Sequence, residues 1–418
     1  MGADHPPAPP AGRRLTIALA AVLGPLFALT VVATVLLWPD PLDRSGDAEP
    51  VPRQHATVTK VVTEACPPTP EPGGPTECGT VTVRLAGGET VDTELPGGPG
   101  APRVEVGDEV IVVMLSDPES PEVSTYQIAD HQRGQPLIWL VALFAAAIIA
   151  FGRLRGLASL AGLAASFAIL LLFVLPAILG GKPPLLVAVV GSALIMFVVL
   201  YLTHGVTART SVAVLGTLAS LVLTGVVGTL AIDGAHLTGY GSDDAVTLSL
   251  VNGAVDLHGL LLAGIIIGSL GVLDDVTVTQ AATVAEVARA NPRLSRLQLY
   301  RAGIRVGRAH IASTVNTIIL AYAGASLPVL LLVIAGGRGV TEVLTTEFMA
   351  QEIVRGVVGT LGLIAAVPIT TALAALATRA ARPTARPAAP PRQRPATDPD
   401  DVLAALAEKP RLDPGSAP

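Results

Sequence analysis

Two adjacent carboxylates, Asp274 and Asp275, follow an apolar run and precede Thr277 and Gln280. Further on, Gly307-Arg-Ala-His-Ile-Ala-Ser-Thr-Val-Asn-Thr317 supplies His310, Ser313, Thr314, Asn316 and Thr317. Carboxylates and an imidazole set in apolar sequence suit cation binding or proton relay, because placing them in a bilayer without such a role is costly. The aspartates also have a plainer reading. Thr277 and Gln280 have capping-box spacing, so a new helix over Val278–Ala290 would begin there with one aspartate as its cap. His310, Ser313, Thr314, Thr317 and Gly324 share one helical face, whereas Asn316 points elsewhere, toward a neighbour. Such a face either bonds helices together or lines a cavity. If the chain folds back between them, Asp275 and His310 lie near the same membrane surface, where a carboxylate would favour the imidazolium.

Signatures of catalysis are missing. The sequence has no H-E-x-x-H, no G-x-S-x-G and no P-loop, and adjacent aspartates diverge by about 100° on a helix. No enzyme activity and no cofactor are expected. Asp233, His236, Asp243, Asp244, Asp256 and His258 match no standard metal spacing and read as an acidic, solvated rim. Cys66 and Cys78 flank a Pro/Gly-rich loop. They form either a disulfide in an oxidising compartment or, with no nearby His, a poor metal pair; the disulfide is the expectation.

The elements that must position these residues follow from composition. The chain is 51% hydrophobic and 14% charged, against about 25% charged in soluble domains. Eight stretches approach the roughly 20 apolar residues that cross a bilayer: Leu15–Trp38, Leu137–Phe151, Leu157–Leu179, Pro184–Leu202, Ser211–Ile232, Leu257–Leu273, Ile311–Ala335 and Ile353–Ala377. The first is read as an anchor rather than a signal peptide, being long and lacking an obvious cleavage site. Gly264, Gly268 and Gly271 share a face with Asp275, and glycines at that spacing admit a second helix closely. Gly324 is assigned the same helix-packing role, and Pro328 and Pro368 are each expected to interrupt a helix. Arg13, Arg14, Arg153, Arg155, Arg209 and the run from Arg289 to Arg308 alternate with acidic loops. Eight spans with both termini cytoplasmic satisfy the positive-inside rule.

The expected fold is therefore an all-α polytopic membrane bundle of about eight helices with a small extracytoplasmic β-rich module. The layout is a cytoplasmic N-terminus at 1–14, an anchor at 15–38, a β barrel or sandwich of about five strands at 39–136, a seven-helix domain at 137–377 and a disordered cytoplasmic tail at 378–418. Strand-like alternation over Ala56–Thr63, Thr80–Leu85 and Val104–Met114, with Gly/Pro turns between, supports the module.

Gly268-Ser-Leu-Gly-Val-Leu-Asp-Asp-Val-Thr-Val-Thr-Gln280, Gly307 to Thr317 and Ala321-Tyr-Ala-Gly-Ala-Ser-Leu-Pro328 resemble the YibE/F family of bacterial multi-pass membrane proteins, over roughly 135–380. The resemblance implies a polytopic plasma-membrane protein and assigns no catalytic residues. The leading expectation is a permease-like transporter for an ion or small solute, with a path between the helices at 257–273 and 311–335. Asp274, Asp275, Thr277, Gln280, His310, Ser313, Thr314, Asn316 and Thr317 are its candidate lining. The alternative is a membrane scaffold or sensor whose outer β module binds a partner. Expected partners are the bilayer, a second copy of the chain and an unidentified ion or small solute. Nucleic acid is excluded for want of a basic stripe with aromatics.

Overall fold

The computed structural model describes residues 13–40, 52–66, 78–98, 101–117, 120–337 and 339–378. The expected tail lies, after Thr378, outside the described residues. The chain opens with α1 (Arg13–Leu36), followed by β1 (Arg53–Glu64), β2 (Cys78–Leu85), β3 (Thr90–Glu94), β4 (Glu109–Asp117) and β5 (Ser120–His131). The strands form a single antiparallel sheet in the order β3-β2-β1-β4-β5, not two packed sheets. Its edges meet where the Thr93 hydroxyl donates to the Tyr126 carbonyl at 2.6 Å. Every second residue turns inward, as the pleat dictates: Ala56 and Val58, then Val81, Val83 and Leu85, then Val110 and Val112. Arg133 donates to Asp130 at 2.6 Å beyond β5, which holds that carboxyl below its ordinary range.

Cys66 and Cys78 are joined by a disulfide. Closing a loop of this size is worth about 3 kcal/mol in the chain-entropy model. In the full-length protein both thiols should resist alkylation until reductant is added. Reduction should also lower the protease resistance of residues 53–131. Ready labelling of both without reductant would contradict the bond.

The helical part begins with α2 (Gly134–Ile169), a π-helical turn at Leu170–Val174 and α3 (Leu175–Leu179). Then come α4 (Pro184–His204), α5 (Ala208–Gly234), α6 (Asp243–Val251), α7 (Leu257–Ala290), α8 (Arg296–Ala325), α9 (Leu327–Ala335), α10 (Val340–Leu344) and α11 (Glu347–Ala377). Among the described residues six helices are long and apolar enough to cross a membrane: α1, the 46-residue stretch Gly134–Leu179, α4, α5, α7 and α11.

That 46-residue stretch is not straight. Arg153 adopts φ 53° and ψ −130°, and a Cβ on Gly156 would fall 2.3 Å from the Ile148 carbonyl oxygen. Residues eight apart in an unbroken helix are about 12 Å apart, so the chain doubles back at Arg153. α8 and α9 are separated at Ser326, just before Pro328, and α8 alone is not among the six. Pro368, in contrast, sits inside the continuous α11 and does not end it. α6 and α10 are short connecting helices.

The ends of the helices sort into two groups. Leu19 packs with Val212, Val284, Leu299 and Ala374, and Arg209 pairs with Glu286 at 3.8 Å. At the opposite end Trp38 stacks on Phe173 at 5.8 Å, Lys182 pairs with Asp40 at 3.6 Å and His258 pairs with Asp233 at 3.4 Å. Here too Glu347, opening α11, accepts from the Thr238 and Gly239 amides at 2.9 and 3.0 Å. α1 belongs to this bundle: Leu23 is buried against α4, and Phe27 meets Phe197 edge-on at 5.3 Å.

Candidate functional site

α5, α7 and α11 meet along a column of small and hydroxylated residues. Thr217 and Thr277 are fully buried, with their hydroxyls 2.6 Å apart. Toward the Arg209–Glu286 end, Gln280 donates its amide to the Gly303 carbonyl of α8 at 2.8 Å and to the Thr371 hydroxyl of α11 at 2.7 Å. Along the same column glycines face hydroxyls. A Cβ on Gly216 would fall 2.2 Å from Thr370 Oγ1, and one on Gly362 would fall 2.0 Å from Thr224 Oγ1. Ser220, Thr224, Ser269 and Thr371 each donate to a carbonyl one turn back in their own helix. These hydroxyls are satisfied locally and let the helices close.

Thr277 and Gln280 therefore do not cap a helix. α7 runs unbroken through Asp274 and Asp275, so the capping reading is corrected for all four residues. The Gln280 side chain reaches neighbouring helices instead, while the Thr277 hydroxyl donates to the Asp274 carbonyl of its own helix at 3.1 Å and meets Thr217 of α5. The cap of α7 is Asp256, which accepts from the Gly259 amide at 3.1 Å.

Asp274 lies about 26 Å along the axis from Leu257 and about 18 Å from Glu286, at 1.5 Å per residue. Its surroundings follow from its neighbours. Leu270 and Val278, each four residues away, pack with Ile195, Met196, Phe197 and Leu200 of α4. Val276, about 200° round the helix from Asp274, instead joins Leu363 and Val367 of α11 and Ile311 and Val315 of α8. Asp274 thus faces α4, on the side of α7 away from α8. Its Oδ1 is buried with no hydrogen-bond partner among the described residues. Asp275 is exposed and lies within electrostatic reach of His204 at the end of α4, which also feels Arg155.

His310 is half-buried on α8, and its Nε2 is likewise a buried atom without a partner among the described residues. It forms no ion pair with Asp274 or Asp275. The expected Asp275–His310 pair is thus not a direct contact, and the Asp274 side chain lies on another side of α7. The remaining polar face of α8 does not enter the core. Ser313, Asn316 and Thr317 are exposed and Thr314 is half-buried, with Thr314 and Thr317 bonded to the carbonyls of His310 and Ser313. Helix-packing glycines fare similarly. Nothing lies within 4 Å of a Cβ built on Gly264, Gly271 or Gly324, and only the Tyr322 hydroxyl, at 3.8 Å, approaches Gly268. None of the four brings a second backbone of this chain against its helix. The close approaches are instead at Gly216, Gly228, Gly303, Gly307 and Gly362.

Sequence reading missed Thr217, Ser220 and Thr224 on α5 and Thr370 and Thr371 on α11. Their signal was available: Thr217, Ser220, Thr224 and Gly228 recur at helical spacing, as do Gly359, Gly362, Ala366 and Thr370. Among the described residues no three His, Cys, Asp or Glu side chains converge as a metal site.

A family model described as YibE/F-like protein matches residues 140–380, more than half of the chain. The chain belongs to the YibE/F-like family. No curated protein and no solved structure matches it. The YibE/F-like region opens inside α2 and closes just beyond α11. It therefore contains the hydroxyl column, both α7 aspartates and His310, and leaves α1 and the β sheet outside.

Proposed function

We propose that this YibE/F-like protein is a plasma-membrane permease for a cation or a cation-coupled small solute, with Asp274 as the ion-binding group. The observation that carries this reading is the Asp274 carboxylate, set several turns inside a continuous apolar helix with a buried, unpartnered oxygen. A buried carboxylate oxygen without a partner is costly unless it serves a path. The path runs along the α4–α7 seam rather than between α7 and α8, and Asp275, His204 and Arg155 mark its mouth at the Arg209–Glu286 end.

The bundle crosses the membrane eight times in this reading. The reversal at Arg153 supports two crossings by Gly134–Leu179, and α8 with α9 supplies a broken one, a form common beside transport sites. The basic residues Arg13, Arg155, Arg209 and Arg289 gather at one end, which the positive-inside rule makes cytoplasmic together with both termini. The β sheet then lies outside, where an oxidising compartment would keep its disulfide.

Asp274→Asn should remove at least nine-tenths of H⁺, Na⁺ or K⁺ flux in proteoliposomes, with unchanged membrane abundance and melting temperature. Asp275→Asn should slow flux only several-fold, since its carboxylate is exposed. Wild-type vesicles that pass none of these ions, or an Asp274→Asn variant with full flux, would sink the reading.

A further inference from the structure

An open groove of about 370 Å³ on the first turns of α8 is lined by Tyr300, Arg301, Ile304, Arg305 and Arg308. Arg301, Arg305 and Arg308 fall at i, i+4 and i+7, so three guanidiniums share one exposed face. Among the described residues none of them enters an ion pair, whereas Arg209 and Arg289, at the same end of the bundle, are both paired to Glu286. Like charges one turn apart repel, and no acidic side chain is interleaved to offset them. α8 is fixed from its other side, where Gly303 and Gly307 seat against Gln280. The arginines are therefore held outward on a rigid support.

Position decides what the charges face. Past Arg308, Ile311 packs into the core, and beyond the exposed Ser313, Asn316 and Thr317 the helix presents Ile319 and Leu320, exposed hydrophobics suited to lipid. The arginines consequently stand at the level where phospholipid headgroups lie. Tyr300 adds an aromatic ring with a polar tip and Ile304 an apolar floor, a combination suited to the boundary between headgroup and acyl chain. Forked guanidinium donors match phosphate oxygens in charge and shape. We propose that the Arg301–Arg305–Arg308 face of α8 binds the phosphate headgroup of an anionic phospholipid in the leaflet at that end of the bundle. The proposal needs α8 to enter the membrane there but does not depend on transport.

Native mass spectrometry of the full-length protein in neutral detergent provides the test, with phosphatidylglycerol compared against phosphatidylcholine of the same chains. Phosphatidylglycerol should be retained preferentially. Each Arg→Gln change should weaken its binding about fivefold and the triple change about a hundredfold, as expected for charges near a headgroup. Phosphatidylcholine binding should stay unchanged, and the triple Arg→Lys variant should keep most of the preference. If the triple Gln variant is not produced, the graded single variants decide. Equal retention of the two lipids, or no loss in the Gln variants, overturns the proposal. So does displacement of the lipid by millimolar inorganic phosphate, which would mark a soluble-anion site. Phosphatidylglycerol binding only after Asp398, Asp400 and Asp401 are changed to Asn would overturn it as well, by assigning the face to the chain's own acidic segment.

Discussion

Gly362→Ala should destabilise the protein by about 2–3 kcal/mol, whereas Gly264→Ala, the same change in another spanning helix, should stabilise it by about 0.5 kcal/mol. The opposite signs come from what each new methyl meets. At Gly362 a Cβ would lie 2.0 Å from Thr224 Oγ1, and that hydroxyl is held by the Ser220 carbonyl at 2.8 Å inside a fully buried residue. It cannot swing away without losing its own bond, so α5 and α11 must separate. At Gly264 nothing lies within 4 Å, leaving only the gain in helix propensity over glycine. Thermal unfolding in detergent, with flux measured alongside, reads both. Thr224→Ala should rescue Gly362→Ala by more than 1 kcal/mol, because it removes the atom struck, and the double-mutant cycle isolates that contact. Additive effects would show that the clash is not the cause.

That contrast also shows what the sequence could and could not carry. Gly264, Gly268 and Gly271 satisfy every sequence criterion for a packing face, yet the glycines that close the core are Gly216, Gly303, Gly307 and Gly362. Spacing says which residues share a face; it does not say which face meets a neighbour. The same gap explains the aspartates. Spacing put Asp275 on one face with three glycines and ended the span at the aspartates, whereas packing carries α7 on through them and sets Leu270 and Val278, on either side of Asp274, toward α4. Hydropathy located the apolar stretches well, since that signal sums over many residues. Helix ends rest on local chemistry at α8, where Ser295 and Gln298 form a capping box that the reading of a span from Ile311 passed over. They were illegible at Thr277 and Gln280, which have the same spacing but whose partners, Thr217, Gly303 and Thr371, are distant in sequence.

Gln280 itself should be the most sensitive single side chain to a change of charge. Gln280→Leu should cost only about 1–2 kcal/mol, because neither acceptor is orphaned. Thr371 Oγ1 still donates to the Val367 carbonyl at 2.6 Å, and the Gly303 carbonyl keeps its place in α8. Gln280→Glu has almost the same shape but should cost more than about 3 kcal/mol at neutral pH. Its carboxylate would be 3% exposed in the parent geometry and would face a carbonyl and a hydroxyl whose proton is already committed. Burial without a donor raises the folded-state pKa of the new glutamate above its unfolded value of about 4.3. The folded state then holds the proton more tightly, so the deficit is smallest below about pH 4.3 and grows as pH rises toward the raised folded value. Melting of Gln280→Glu and wild type across pH 4–8 in detergent should show the gap widening with pH, while the gap for Gln280→Leu stays constant. A pH-independent deficit in Gln280→Glu would mean that water reaches the α7–α8–α11 junction and that the hydrogen bonds of Gln280 are made in a wet seam.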